Sequence, residues 1–128
     1  MKFIKEKTKF KVKSLETFDS IQKENNMSTV PTLPGITSKV VDTPRLKMHT
    51  LFSGPENGTP VLFLHGNASS ATYWEEIMLK LPAGFRGIAP DLRGYGDTED
   101  KLIDATRGMG DWIDDLVGFL DALKIEKI

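Results

Sequence analysis

The residues best placed to do chemistry are His65, Gly66 and Asn67, which follow a short apolar run at residues 61–64. The run is bounded by Pro60 and the His-Gly pair, a pattern that predicts a strand buried on both faces, as in a parallel sheet. A strand that ends in a glycine turn before a helix places backbone N–H groups at the carboxyl end of a sheet, where open α/β folds bind ligands. Such N–H groups can stabilise an anion that develops on a reacting oxygen.

Neighbouring side chains are weaker candidates for catalysis. Ser69 and Ser70 stand directly before a helical pattern, where a serine satisfies free backbone N–H groups, so we expect them to cap that helix. Nothing next to them in sequence supplies a base. His49 falls in an alternating strand pattern and is expected at the surface or as a hydrogen-bonded core residue.

The composition excludes several classes of function. The apolar content of 39% and the charged content of 27% are typical of a soluble globular protein. A net charge of −1 provides no attraction to nucleic acid or to an anionic membrane. The absence of cysteine excludes disulfides and thiolate sites, and two histidines are too few for a histidine-rich metal site. With no long apolar run and no signal-peptide core, a cytoplasmic location is expected.

The chain divides into two regions by composition. Residues 1–34 begin with six lysines in the first 13 residues and end in prolines. They predict a disordered extension, with a basic arm that contacts an acidic partner or a membrane surface as the alternative. Residues 35–128 carry the regular patterns and are expected to form the folded part.

Alternating and helical patterns predict the elements that must position the His-Gly-Asn turn. Two β-rich runs joined by a turn predict an antiparallel hairpin, and two further strands each lead into a helix. The predicted strands are residues 36–41, 46–52, 61–64 and 85–89, and the predicted helices are residues 71–81 and 111–124. Strands alternating with helices indicate an α/β fold with a mainly parallel sheet.

These features, taken in order, resemble the N-terminal half of the α/β-hydrolase family. The resemblance covers residues 36–128 and rests on four features. These are His65-Gly66-Asn67 after an apolar strand, Trp74 in the next helix, the run Pro90-Asp91-Leu92-Arg93-Gly94-Tyr95-Gly96-Asp97, and the last amphipathic helix. The resemblance implies an antiparallel hairpin followed by parallel βαβα units, as an incomplete sheet.

The resemblance also assigns roles to the turn residues. It implies that the backbone N–H of Asn67 supplies one half of an oxyanion hole, and that His65, Gly66 and Ala68 shape the loop or contact substrate. His65 is implied to be structural, because the family's catalytic base comes far downstream. A carboxylate pair at Asp91 and Asp97 could bind an ion, but the resemblance implies a structural segment.

In that structural segment the resemblance implies that Arg93 ties the loop down through carboxylates or carbonyls. Gly94 and Gly96 allow backbone conformations that other residues resist. Gly94-Tyr95-Gly96 lacks the third glycine of a dinucleotide-binding loop. Trp74 is expected to pack in the core.

The family's nucleophile is absent from these residues. It sits in a G-x-S-x-G turn, or in an aspartate version of that turn, after the next strand. No G-x-S-x-G occurs in the 128 residues, and the acid and the histidine base are likewise not found. We therefore expect this chain, an N-terminal fragment, to be inactive by itself.

The resemblance implies that the parent hydrolase cleaves a small-molecule ester or lactone with a nucleophile–histidine–acid triad and no metal or organic cofactor. The first alternative is an epoxide hydrolase or haloalkane dehalogenase with an aspartate nucleophile. Asn67 resembles the halide-binding asparagine of dehalogenases, whereas Ala68 stands where they usually carry proline. The second alternative is a non-catalytic truncated product. In the family's strand order, residues 61–64 would lie at an exposed edge, so self-association is expected.

Overall fold

The computed structural model describes residues 30–128, so most of the predicted N-terminal extension lies outside the described residues. Four strands form one mixed sheet in the order β1-β2-β4-β3. The strands are β1 (Thr37–Asp42), β2 (Lys47–Ser53), β3 (Thr59–Leu62) and β4 (Phe85–Pro90). The helices are α1 (Glu75–Met78) and α2 (Gly110–Ala122), with 3-10 turns at Ala71–Trp74 and Ala105–Arg107. This mixed sheet with helices confirms the predicted fold class, but the expectation of a mainly parallel sheet is wrong for residues 30–128, where two of the three strand pairs are antiparallel.

The predicted hairpin is confirmed. β1 and β2 pair antiparallel, with Val40 opposite His49. Thr43 fixes the turn between them, because its hydroxyl accepts from the Leu46 N–H at 3.1 Å and donates to the Leu46 carbonyl at 2.7 Å. β2 then pairs on its other side with β4, so it is a central strand and six of its seven residues are buried.

The predicted parallel pair is also confirmed, with Val61 of β3 opposite Gly87 of β4. The prediction that residues 61–64 form a strand buried on both faces is wrong. Regular pairing ends at Leu62, the strand residues after Thr59 are half-buried, and Leu64 is 42% exposed. The reason is that β3 is an edge strand within residues 30–128, so only β4 shields its backbone.

Two apolar clusters hold the sheet between its helices. On one face, the 3-10 turn and α1 contribute Ala71 and Met78 to a cluster with Leu51 and Ala89. On the other face, Phe119 of α2 packs against a cluster that includes Ile88. Burial of these side chains is the main favourable term that fixes the helices on the sheet. None of the helices within residues 30–128 has the length and apolar content to cross a membrane.

The predicted helix at residues 71–81 is confirmed only in part, because it is shorter and its first half is not α-helical. A 3-10 turn over Ala71–Trp74 leads into a single α-helical turn that ends at Met78. Thr72, Tyr73 and Trp74 lose side-chain freedom in an α-helix and are weak helix formers. Tyr73 and Trp74 instead make an edge-to-face contact at 5.2 Å.

The open edge of β3 has a defined hydrogen-bonding pattern. Thr59 and Phe63 donate their N–H groups toward β4, each at 2.8 Å. Because successive N–H groups along a strand point to opposite sides, the Leu62 N–H points to the open side. Pro60 would share that direction but has no N–H, as is common in edge strands. Within the described part of the chain, no strand pairs with this edge.

We expect the 128-residue chain to self-associate through this edge, because an unpaired strand is a template for another strand. Light scattering should give an apparent mass that rises with protein concentration. Leu64→Lys places a charge beside the edge and should lower that mass. Leu102→Lys is the control, because Leu102 is 94% exposed in a loop outside the sheet. A monomeric mass for the unsubstituted chain at every concentration would contradict the prediction.

Candidate active site

The residues after β3 form an exposed turn at Asn67 and Ala68. Phe63 still donates to β4, so the chain leaves the sheet close to the carboxyl end of the parallel pair. Within residues 30–128, the Asn67 N–H makes no hydrogen bond. Ala68 adopts a φ of +53°, and its N–H donates to the Asn67 Oδ1 at 3.0 Å. The turn therefore leaves the Asn67 N–H free near the edge of the sheet.

His65 ties this turn to the loop that follows β4. Its Nε2 accepts from the Leu92 N–H at 3.0 Å, and its Nδ1 lies 2.8 Å from the Gly66 carbonyl. Because a carbonyl only accepts, these partners assign the proton to Nδ1 and describe a neutral ring. Both ring nitrogens are occupied, so His65 has no nitrogen left to take a proton from a nucleophile in this conformation. Gly66 has open space around it.

The loop after β4 also contacts the turn directly. The Tyr95 hydroxyl donates to the Asn67 Oδ1 at 2.8 Å, and the Tyr95 ring meets the His65 ring edge-on at 5.2 Å. No role was predicted for Tyr95. The available signal was its place between two glycines in the segment that carried the resemblance, and both glycines have positive φ.

A group of hydrogen-bonded polar side chains is buried in the core. The His49 Nε2 lies 2.7 Å from the Ser38 hydroxyl, and the His49 Nδ1 lies 2.7 Å from the Asp91 Oδ2. The three side chains have the order of a serine–histidine–acid triad, but each is less than a tenth exposed. Burial leaves no room for a substrate at Ser38. Of the two positions expected for His49, the hydrogen-bonded core position is confirmed and the surface position is wrong.

Asp91 connects this cluster to the 3-10 turn that begins at Ala71 and to the loop that follows β4. Its Oδ1 accepts from the Ala71 N–H at 2.6 Å, and its Oδ2 accepts from the Asp97 N–H at 2.9 Å. Burial alone raises the pKa of the Asp91 carboxyl, but the hydrogen bonds from His49, Ala71 and Asp97 outweigh burial and lower it below its ordinary value. Asp91 is therefore held as a carboxylate.

The prediction that a serine caps the next helix is wrong. Ser70 occupies the capping position but makes no capping hydrogen bond, and its hydroxyl lies 2.6 Å from that of Thr72. The Asp91 carboxylate takes the Ala71 N–H instead. The carboxylate of Asp91, which is distant in sequence, therefore accepts the hydrogen bond that was predicted for a serine hydroxyl.

One group of side chains has the atoms of a metal site. His49, Asp91 and Asp97 offer ligand atoms within 4.8 Å of one another. However, both His49 ring nitrogens already face Ser38 and Asp91, and the Asp91 oxygens accept three hydrogen bonds. The cluster is satisfied as a hydrogen-bonded network. Gly96 lies against it, because a side chain at that position would overlap the Asp91 carboxylate.

Arg93 anchors the loop after β4 to α2, as predicted. It binds Asp115 through Nε at 2.7 Å and Nη2 at 2.8 Å, and its Nη1 donates to the Leu102 carbonyl at 3.0 Å. Arg45, from the hairpin turn, donates to the same carboxylate at 2.7 Å. Burial alone raises the pKa of the Asp115 carboxyl, but the two arginines outweigh burial and lower it. The hydrogen bonds to Asp115 raise the pKa of Arg93.

Trp74 packs against the core as predicted, with its ring 5.6 Å from that of Phe63. Its Nε1 is buried and has no hydrogen-bond partner within residues 30–128.

The lowered pKa values of Asp91 and Asp115 predict an acid-sensitive fold. The unfolded chain takes up protons on these carboxyls near pH 4, before the folded chain does. Their contribution to the free energy of unfolding is therefore present above pH 4 and is lost as pH falls further.

Urea unfolding followed by circular dichroism should give midpoints that are equal at pH 7 and 5 and that fall at pH 3. The Asp91→Asn/Asp115→Asn variant should depend less on pH. A midpoint that is unchanged between pH 5 and 3 would contradict the prediction.

The family model of the alpha/beta hydrolase fold matches residues 59–128. Epoxide hydrolase 3 of Siraitia grosvenorii is 42% identical over 89 residues, which is 69% of this chain and 28% of that enzyme. A haloalkane dehalogenase of Mycobacterium marinum is 38% identical over 68 residues, which is 51% of this chain and 23% of that enzyme. The crystal structure of an epoxide hydrolase from Vigna radiata superposes with a TM-score of 0.67 at 33% identity, covering 77% of this chain and 32% of that one. The chain spans about a quarter to a third of the length of these proteins.

Proposed function

Since the chain belongs to the α/β hydrolase fold family, we propose that it is the N-terminal part of a hydrolase and supplies one oxyanion donor, the backbone N–H of Asn67. The observation that carries the proposal is this free donor in a turn beyond the carboxyl end of β3. A fixed N–H dipole stabilises the negative oxygen of a tetrahedral intermediate, and the loss of one such donor costs about 3 kcal/mol of barrier.

We propose epoxide opening as the reaction of the whole protein. An aspartate carboxylate would attack an epoxide carbon, the carbon–oxygen bond would break, and the released oxygen would take up a proton from an acid of the whole protein. Water, giving a proton to the histidine base, would then attack the carbonyl carbon of the resulting ester, and the Asn67 N–H would stabilise the oxyanion that forms. Collapse of this intermediate would break the ester bond, release the diol and restore the aspartate carboxylate. The support for an aspartate nucleophile is the similarity to epoxide hydrolases and dehalogenases. This similarity favours the first alternative over ester cleavage.

Ester or lactone cleavage by a serine is the second candidate, and Ala68 favours it. Ala68 has a φ of +53°, whereas a proline ring holds φ near −65°. The proline that the resemblance places at this position in dehalogenases therefore does not fit the turn as it is built here. The oxyanion would form in the same place, so the Asn67 N–H would serve either reaction.

Assays of the full product of the gene that encodes these 128 residues separate the candidates. We expect it to convert an aryl epoxide to a diol and to retain that activity after treatment with a serine-directed phosphonate. Activity only on p-nitrophenyl acetate, abolished by the phosphonate, would support the second candidate. No turnover of either substrate would overturn both.

A chimera tests the Asn67 donor separately. The 89 residues aligned with Epoxide hydrolase 3 would replace their counterparts in that enzyme. We expect the chimera to open epoxides, and Asn67→Pro, which removes the N–H, to lower kcat by about 100-fold. Asn67→Ala keeps the N–H and is the matched control, with a loss of less than about tenfold. Equal losses in the two variants, with equal melting temperatures, would overturn the role of the backbone donor.

A further inference from the structure

The orientation of the Asn67 carboxamide is fixed by two donors. The Ala68 N–H and the Tyr95 hydroxyl both lie within 3.0 Å of its Oδ1. A backbone N–H can only donate, so the oxygen of the carboxamide must face Ala68. Tyr95 then meets the same oxygen, and the Asn67 side chain is held between its own turn and the loop after β4.

Tyr95 is itself placed by its surroundings. Its ring packs edge-on against the His65 ring, and its N–H donates to the Leu92 carbonyl at 3.0 Å. Leu92 in turn donates to His65. Gly94 and Gly96, with φ of +80° and +54°, bend the backbone on either side of Tyr95. The hydroxyl therefore approaches Asn67 from a ring that has little freedom to move.

The contact matters because the free Asn67 N–H is on an exposed residue with few other restraints. Residues 67 and 68 are both exposed, and no regular element includes them. An oxyanion donor is effective only when its dipole is oriented before the charge develops. The Tyr95 hydroxyl is the side-chain group that links Asn67 to another loop within residues 30–128.

We propose that Tyr95 is a positioning residue, which acts through the Asn67 side chain to hold the Asn67 turn and its backbone N–H in place. The catalytic part of this inference rests on the proposed function, whereas the positioning part does not. Tyr95 touches Asn67 and His65 and need not touch substrate. Its effect should therefore disappear when the Asn67 side chain is removed.

Selective ¹⁵N labelling of asparagine in the 128-residue chain tests the positioning. The sequence has only four asparagines, and Asn67→Ala identifies the signals of Asn67. In the unsubstituted chain the heteronuclear NOE of the Asn67 Nδ2 should exceed that of Asn57, an exposed turn residue without a side-chain partner in the described chain. Tyr95→Phe should lower the Asn67 value to that of Asn57. Tyr73→Phe is the matched control, because Tyr73 is 70% exposed, and it should change nothing. Equal values for Asn67 in the unsubstituted chain and in Tyr95→Phe would overturn the inference.

The epoxide hydrolase chimera tests the consequence for catalysis. Tyr95→Phe should lower kcat about fivefold with KM unchanged, and should have no further effect in an Asn67→Ala background. If Tyr95→Phe loosens the Asn67 side chain in the NMR experiment but leaves kcat of the chimera unchanged, the positioning role stands and the proposed oxyanion role is contradicted. Additive losses in the double variant would overturn the inference, because Tyr95 would then act by another route.

Discussion

Asp91→Ala is expected to lower the free energy of unfolding by about 3–5 kcal/mol. The Asp91 side chain is 1% exposed and accepts hydrogen bonds from His49, Ala71 and Asp97. Removal of the carboxylate leaves these donors facing a cavity, and each buried donor without a partner costs about 1–3 kcal/mol. The loss is measured by urea unfolding of the 128-residue chain, followed by circular dichroism.

Two variants make the Asp91 result specific. Asp91→Asn keeps the volume and one oxygen but turns an NH₂ group toward N–H donors, so its loss should be smaller than that of Asp91→Ala and still measurable. Asp100→Ala removes an exposed carboxylate with no side-chain partner within residues 30–128, and should change stability by less than about 0.5 kcal/mol. If Asp91→Ala behaved like Asp100→Ala, the three contacts would contribute nothing to stability.

The strands were predictable because their signal is local. Alternation in β1 and β2, and a proline and glycines at the ends of β3 and β4, are properties of consecutive residues. They predicted the hairpin and the parallel pair, and the structure has both. The burial of β3 was not predictable in the same way, because it depends on which strands flank it.

The polar contacts of the site were not predictable from the sequence. Asn67 and Tyr95 are 28 positions apart, and Ala71 and Asp91 are 20 apart. A hydrogen bond between two loops leaves no periodicity in either loop. The same holds for the hydrogen bond of the Ala71 N–H, which Asp91 accepts in place of Ser70. The Asp91 carboxylate reaches this N–H only through the tertiary fold. The tie between Arg93 and a carboxylate was anticipated only through the family resemblance.

The second large effect is expected at Asp115, where α2 is fixed to the rest of the fold. Asp115→Ala should lower the free energy of unfolding by about 3–5 kcal/mol. It leaves Arg93, a residue that is 7% exposed, without the carboxylate that it binds through two nitrogens, and it also removes a contact of Arg45. Asp121→Ala on the same helix is the control, because Asp121 is exposed and has no side-chain partner in the described part of the chain. Similar unfolding midpoints for the two variants would contradict the prediction.

The double variant Arg93→Ala/Asp115→Ala shows whether the large loss comes from an unpaired buried charge. Asp115→Ala leaves the buried Arg93 charge without its carboxylate, and Arg93→Ala leaves the buried Asp115 carboxylate with Arg45 alone, whereas removal of both leaves a cavity, a free Leu102 carbonyl and an Arg45 that keeps its contact with Asp111. The double variant should therefore be less destabilised than the sum of the single variants, with a coupling of about 1–3 kcal/mol. Additive losses would mean that packing, and not charge, holds α2 to the loop after β4. In that case the acid sensitivity predicted above would have to come from Asp91 and from the contact of Asp115 with Arg45.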